Sequence, residues 1–204
     1  MKIIIFGGSG FLGSFVAEEL IKRGHKVKIA DIKKTSFKIK KCKFVKVNIL
    51  NKKNINDQIK GHDVVYNFAA VADIQDAYDN PLLAINTNIL GTTYVLEACI
   101  KHKVKRFIFA SSIYVLSNQG GFYKASKQSA EILIKEYGEV HNLPYTILRF
   151  GSIYGPRSNI KNGLYKIVYD AVTKKKLIYQ GTKKAVRSYI HARDAAKASA
   201  DILR

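Results

Sequence analysis

Three features predict an α/β fold, a doubly wound parallel sheet with helices on both faces. Short apolar runs recur along the chain, each long enough for one strand. Helical patterns separate the runs, so successive strands must run parallel rather than pair as hairpins. The first run ends in a glycine-rich turn that opens straight into a helical pattern.

That opening stretch carries the most information. Ile3-Ile4-Ile5-Phe6 reads as a strand, followed by glycines at Gly7, Gly8, Gly10 and Gly13. Phe11, Leu12, Phe15, Val16, Leu20 and Ile21 then recur at helical spacing, and Val27 to Ala30 is a second strand ending on Asp31. Strand, glycine turn, helix, strand and acid is the order a dinucleotide-binding unit requires. Gly7 would let the chain turn tightly. Gly10 would let the backbone approach a pyrophosphate, and Gly13 would let the helix pack close to the sheet. The free N–H groups at the helix start would face the phosphates. Asp31, 18 residues after Gly13, would accept hydrogen bonds from a ribose diol and repel a 2′-phosphate, favouring NAD over NADP. The spacing is G-x-x-G-x-x-G, and the flanking strands and the acid make it specific.

The later elements follow in order. A lysine-rich connection (Lys33, Lys34, Lys38, Lys40, Lys41) precedes the strand Phe44 to Val47, which ends at Asn48-Ile49. A short polar helix around Ile55 to Ile59 leads to the turn Gly61-His62-Asp63 and the strand Val64 to Phe68. Ala69 and Ala70 then leave room for a ligand at the strand's carboxyl end. One long helix is expected from Pro81 to about His102; Gly91 inside it should permit a close approach. Arg106 to Ala110 is a strand ending at Ser111-Ser112. A loop from Ser117 to Gly121 precedes a helix from Phe122 to Val140, and Tyr145 to Leu148 is a sixth strand.

Bulk properties narrow the class. At 204 residues and 47% hydrophobic, the chain is one globular domain. It has no membrane span and opens on a core strand, so no signal peptide is expected. Cys42 and Cys99 have neither metal-ligand nor disulfide spacing and fit a reducing cytoplasm. Twenty-eight of the 35 basic residues behind the net charge of +20 are lysines scattered along the chain. Without a basic helix or stacking motif they read as a solvated surface and not as a nucleic-acid footprint. Attraction of an anionic small substrate is the next consequence.

Ser112, Tyr123 and Lys127 form the second constellation. Tyr123 and Lys127 are four apart and share a helix face. An ammonium close to the phenol would lower its pKa, making Tyr123 a general base on an alcohol. Ser112 could bond the same substrate oxygen.

These residues, with Asn88-Ile89-Leu90-Gly91-Thr92, Leu148 to Arg157 and Arg187-Ser188-Tyr189-Ile190-His191, make the chain resemble an extended short-chain dehydrogenase/reductase of the NAD-dependent sugar-nucleotide epimerase/dehydratase group. The resemblance covers essentially the whole chain. It implies one NAD-binding Rossmann domain over 1–204, with partial substrate-lobe elements in 151–186. It implies that Tyr123 takes a sugar proton while hydride passes to NAD, and that hydride returns to the other face. Lys127 would hold the nicotinamide ribose and Ser112 the hydroxyl. Phe11 and Leu12 would bind the pyrophosphate, Asn48 and Ile49 would flank adenine, and Asn88 would lie beside the cofactor. Arg187 would pair with the substrate diphosphate, and Ser152 stands where an Asn often contacts it. Arg149 and Arg157 would either flank the substrate side and assist anion binding or simply lie on the surface. Asn67 replaces a structural His. His191 reads as structural, with Asp194 capping the last helix, around Ala195 to Leu203.

Departures from the family pattern sharpen the reading. Val115-Leu116-Ser117 replaces Val-Tyr-Gly, and the connection to Tyr123 is short. No Asp-Glu pair follows the serines, which favours an epimerase over a dehydratase. The family continues well beyond Leu203, so much of the substrate lobe is expected to be missing. The other readings are an NAD-binding module or subunit without turnover, and a reductase or dehydratase of the same family. A homodimer through the helices Pro81 to His102 and Phe122 to Val140 is also implied.

Overall fold

The computed structural model describes residues 1–177 and 186–203. All six expected strands form: β1 (Lys2–Phe6), β2 (Lys26–Asp31), β3 (Lys43–Lys46), β4 (Val64–Asn67), β5 (Arg106–Ser112) and β6 (Tyr145–Phe150). They make one parallel sheet in the order β3-β2-β1-β4-β5-β6. The order reverses between β1 and β4, and such a switch point opens a ligand crevice at the carboxyl edge.

The alternation of β1 explains why it is apolar throughout. Ile3 and Ile5 enter one core with Tyr66, Ile108 and residues of the helices α1 (Phe11–Lys22) and α8 (Ala192–Asp201). Ile4 and Phe6 enter the other with Val65, Phe107 and Phe109, covered by α2 (Lys52–Ile59), α5 (Gly91–Lys101) and α6 (Gly121–His141). A strand covered on both faces has no polar positions to spare. The buried Tyr66 hydroxyl donates to the Ser199 carbonyl at 2.8 Å, so the one polar atom this ring brings inside is satisfied.

Several expectations change in detail. The stretch from Pro81 is helical but not one α-helix: α4 (Pro81–Ile85) runs through a π turn, Asn86–Leu90, into α5. Gly91 permits a close approach, and its partner is Ile49, whose Cγ2 would lie 2.9 Å from an added Cβ. Asp194 does not cap α8. His191 is the N-cap, its Nδ1 accepting the Arg193 N–H at 3.3 Å, and Asp194 sits in the first turn. The described residues also form elements that were not anticipated, among them α3 (Ile74–Asp79), a 3-10 turn at Ile113–Leu116, a seventh strand and α7 (Gly163–Lys174). The last lies between β7 (Ser152–Tyr154) and β8 (Tyr189–His191), which pair in parallel as a separate small sheet.

Candidate active site

The glycine turn has the geometry of a phosphate cradle. Gly7 has φ +73°, and a Cβ there would overlap the Ala69 nitrogen and come within 2.7 Å of the Phe68 carbonyl oxygen. Gly8, in the turn, lies against the sheet, where an added Cβ would meet Ile29 Cγ1 at 2.8 Å; Gly13 brings α1 close to the turn that leaves β1, against the Gly7 carbonyl and Gly8 Cα. Gly10 is the N-cap of α1 and offers no side-chain cap. The N–H groups of Phe11 and Leu12 therefore lie at an uncapped positive helix end. Asp31 is held at the turn: Oδ2 accepts the Ser9 N–H at 3.0 Å and Oδ1 the Lys33 N–H at 3.4 Å. A carboxylate has further lone pairs with which to accept a diol. Asn48 is exposed, its Oδ1 accepting the Leu50 N–H at 2.9 Å, while Ile49 is buried. Ala69 and Ala70 are half-buried past the end of β4. A tight turn, an open helix end, an acid and small side chains at one sheet edge fit a dinucleotide.

Asn88 plays a different part from the one expected. Its amide donates to the Val71 carbonyl at 3.0 Å and to Ser126 Oγ at 2.9 Å, and its Oδ1 accepts the Val71 N–H at 2.8 Å. With both amide hydrogens used inside the protein, it clamps the loop after β4 to α6, between Tyr123 and Lys127.

Ser112 and Tyr123 meet at the end of β5. Ser112 beside it pulls the Tyr123 pKa down, but burial is the larger effect and leaves it raised; Ser112 Oγ itself accepts the Tyr114 N–H at 3.2 Å. The ring edge of Tyr114 packs on Tyr123 with centroids 6.4 Å apart. Lys127 does not lower the phenol pKa in this structure, contrary to the sequence reading. Its Nζ donates to the Ala110 carbonyl at 2.7 Å and lies 4.6 Å from the centre of the Phe109 ring. Burial pushes its pKa down to about 7, against the opposing pull of Glu131.

A stability prediction follows from that shift. An unfolded chain holds the Lys127 proton up to about pH 10.4, whereas the folded chain releases it near 7. Between those values the unfolded state binds more protons, so this residue makes stability rise with pH. Wild type should therefore gain stability relative to Lys127→Met as pH goes from 7 to 10, with a flat difference below 6. Urea unfolding at several pH values reads this; a difference that stays constant or falls above pH 7 contradicts the assignment.

Ser112 and Tyr123 line a cleft of about 1210 Å³ bounded by β7, β8 and α7. Ser152 and the exposed Arg187 line the same cleft, so the four residues expected to meet substrate converge. Lys161, Lys166 and Lys174 join Arg187 there, against Asp73 and Asp170. The balance is cationic, as an anionic substrate requires. Arg149 and Arg157 do not flank it. Arg149 is forked onto Glu131, through Nε at 3.0 Å and Nη2 at 2.6 Å. Arg157 donates to Ser14 Oγ and Glu18 and covers the rings of Phe15 and Phe37. The sequence reading missed Glu131, Tyr114 and Ser126. A glutamate one turn beyond Lys127, set among Ala130, Ile132 and Ile134, was the available signal.

A dinucleotide-type glycine turn at the sheet edge that also carries a Ser112–Tyr123 cleft fits a nicotinamide-dependent enzyme class, and the comparisons place the chain within one. Residues 3–204 match the NAD dependent epimerase/dehydratase family, to which this chain belongs. It is 31% identical to a UDP-N-acetyl-alpha-D-glucosaminuronate decarboxylase of Bacillus cytotoxicus, covering 97% of this chain and 70% of that one. It is 30% identical to a dTDP-D-glucose 4,6-dehydratase of Dictyostelium discoideum, covering 100% of this chain and 55% of that one. Among solved structures, the UDP-glucose 4-epimerase of Thermus thermophilus in complex with NAD superposes with a TM-score of 0.87 at 28% identity, covering 100% of this chain and 74% of that one.

Proposed function

We propose that this protein is an NAD-dependent epimerase of a nucleotide sugar. The observation that carries the reading is that Ser112 and Tyr123 share the wall of a cationic cleft, at the carboxyl edge of the same parallel sheet as the glycine turn. Gly7, Gly10 and Gly13 shape the turn, Phe11 and Leu12 bind the pyrophosphate, and Asp31 holds the adenosine ribose. Asn48 and Ile49 flank the base, while Ala69 and Ala70 leave the cofactor room. Bound NAD supplies a hydride acceptor and a positive charge beside the phenol, which favours the phenolate. Tyr123 then takes the proton of one sugar hydroxyl as hydride leaves that carbon, giving a ketone; reversal on the other face inverts the centre. Ser112 orients the oxygen, Lys127 turns to the nicotinamide ribose, and Ser152 and Arg187 hold the diphosphate. Ile113 and Tyr114, which follow Ser112, carry no carboxyl group, and this supports epimerisation over water elimination.

The same reading makes the protein a homodimer through the helical stretch from Pro81 to about His102 and α6, on which Leu82, Leu83, Ile132 and Val140 stand 52–73% exposed. Light scattering that found a monomer at micromolar concentration would exclude it. Among the described residues no helix is long and apolar enough to cross a membrane. The free thiols Cys42 and Cys99 support a reducing, cytoplasmic setting.

The activity is tested by proton NMR on mixtures of protein, NAD and one of UDP-glucose, UDP-glucuronate or UDP-N-acetylglucosamine. One sugar should give its epimer without stoichiometric NADH. Cofactor binding with no conversion of any nucleotide sugar would indicate a module without turnover. A deoxy-keto or decarboxylated product would indicate the chemistry of the other relatives.

A further inference from the structure

We propose that Glu131 is a positioning residue: it fixes the spacing between the α6 face that carries Tyr123 and Lys127 and the end of β5 that carries Ser112. The inference rests on the epimerase reading and adds a residue to it.

Tyr123, Lys127 and Glu131 stand on successive turns of one face of α6. Glu131 is only 4% exposed, and a carboxylate that deep must be fully partnered. It accepts the Ser111 hydroxyl at 2.6 Å and the Arg149 fork at 3.0 and 2.6 Å. Burial alone would raise its pKa, but the bonds from Arg149 and Ser111 outweigh burial and lower it. Ser111 and Arg149 are register partners across β5 and β6. One carboxylate therefore ties the helix to two adjacent strands, and its β5 partner immediately precedes Ser112.

The consequence is geometric and electrostatic together. The Ser112–Tyr123 contact spans the gap that Glu131 closes two helical turns away, and small misplacements of reacting groups cost large factors in rate. The Glu131 charge also favours the Lys127 ammonium. The other groups on that ammonium are the Ala110 carbonyl and the Phe109 ring of β5, and Glu131 is itself held by Arg149 of β6. The carboxylate is thus the anion of the cluster.

The test compares Glu131→Gln with Glu131→Met/Arg149→Met, which removes the buried carboxylate together with its exposed guanidinium partner, so that neither charge is left unpaired. In both, kcat on the sugar that wild type epimerises should fall by about 10- to 100-fold. KM and the Kd for NAD should stay within about threefold, and the alkaline limb of kcat should move to lower pH as the ammonium loses its anion. If the folded double variant keeps wild-type kcat and pH profile, Glu131 only fills space and the proposal is overturned. If wild type itself turns over no nucleotide sugar, the epimerase reading fails first and this role goes with it.

Discussion

Tyr123→Phe should lower turnover by about a thousandfold while leaving the Kd for NAD within about twofold. Only the phenolic oxygen is lost; the ring stays packed against Ala77, Ala84 and Tyr114. Because burial raises the phenol pKa more than Ser112 lowers it, the ligand-free protein keeps Tyr123 protonated. On the proposed reading the charge of bound NAD would draw out the base form, while Lys127 donates to the Ala110 carbonyl in this structure. A positioned acid–base group contributes about 10²- to 10⁴-fold, and Ser112 alone cannot replace it. Steady-state kinetics and calorimetric NAD titration on the same preparation separate the two effects. Retained turnover in the variant would show that another group moves the proton.

Gly7→Ala should have the largest effect on stability, about 2–5 kcal/mol. A left-handed backbone costs about 1–2 kcal/mol for a residue with a Cβ. Forcing a methyl into a packed site adds about 1–3 kcal/mol. Here the obstruction is the backbone of Phe68 and Ala69, which cannot rotate aside as a side chain would. The strand pair β1–β4 or the turn must shift, and the turn holds Asp31 through Ser9. NAD affinity should therefore drop at least tenfold along with stability. Urea unfolding and NAD titration read both; an unaltered midpoint would mean that the turn is looser than its geometry.

The fold was legible wherever a single stretch of chain decides its own state. Each of the six sheet strands is an apolar run with turn residues at its ends. Gly91 announced a close approach, though not that Ile49 made it. α7 escaped notice although Leu164, Ile167, Val168, Ala171 and Val172 recur at helical spacing, and none of its residues is buried. The π turn at Asn86–Leu90 changes a hydrogen-bond ladder without changing composition.

The candidate site was legible as residue types and much less as side-chain directions. Tyr123, Ser112, Ser152 and Arg187 meet at one cleft as expected. Lys127 shares the helix face of Tyr123 and yet spends its hydrogen bond on the Ala110 carbonyl. Arg149 and Arg157 looked available for an anion because their partners lie 18 and 139 residues away in sequence. Long-range ion pairs leave no local periodicity to read.

The central claim is that the sugar is oxidised and reduced again at one carbon. A nucleotide sugar deuterated at the carbon that inverts, incubated with the protein and NAD in ordinary water, tests it most directly. The epimer should keep its deuterium at that carbon, because the hydride leaves and returns without meeting solvent. Protium at the inverted carbon would mean that the centre is inverted by exchange with water, and the mechanism argued here would be wrong.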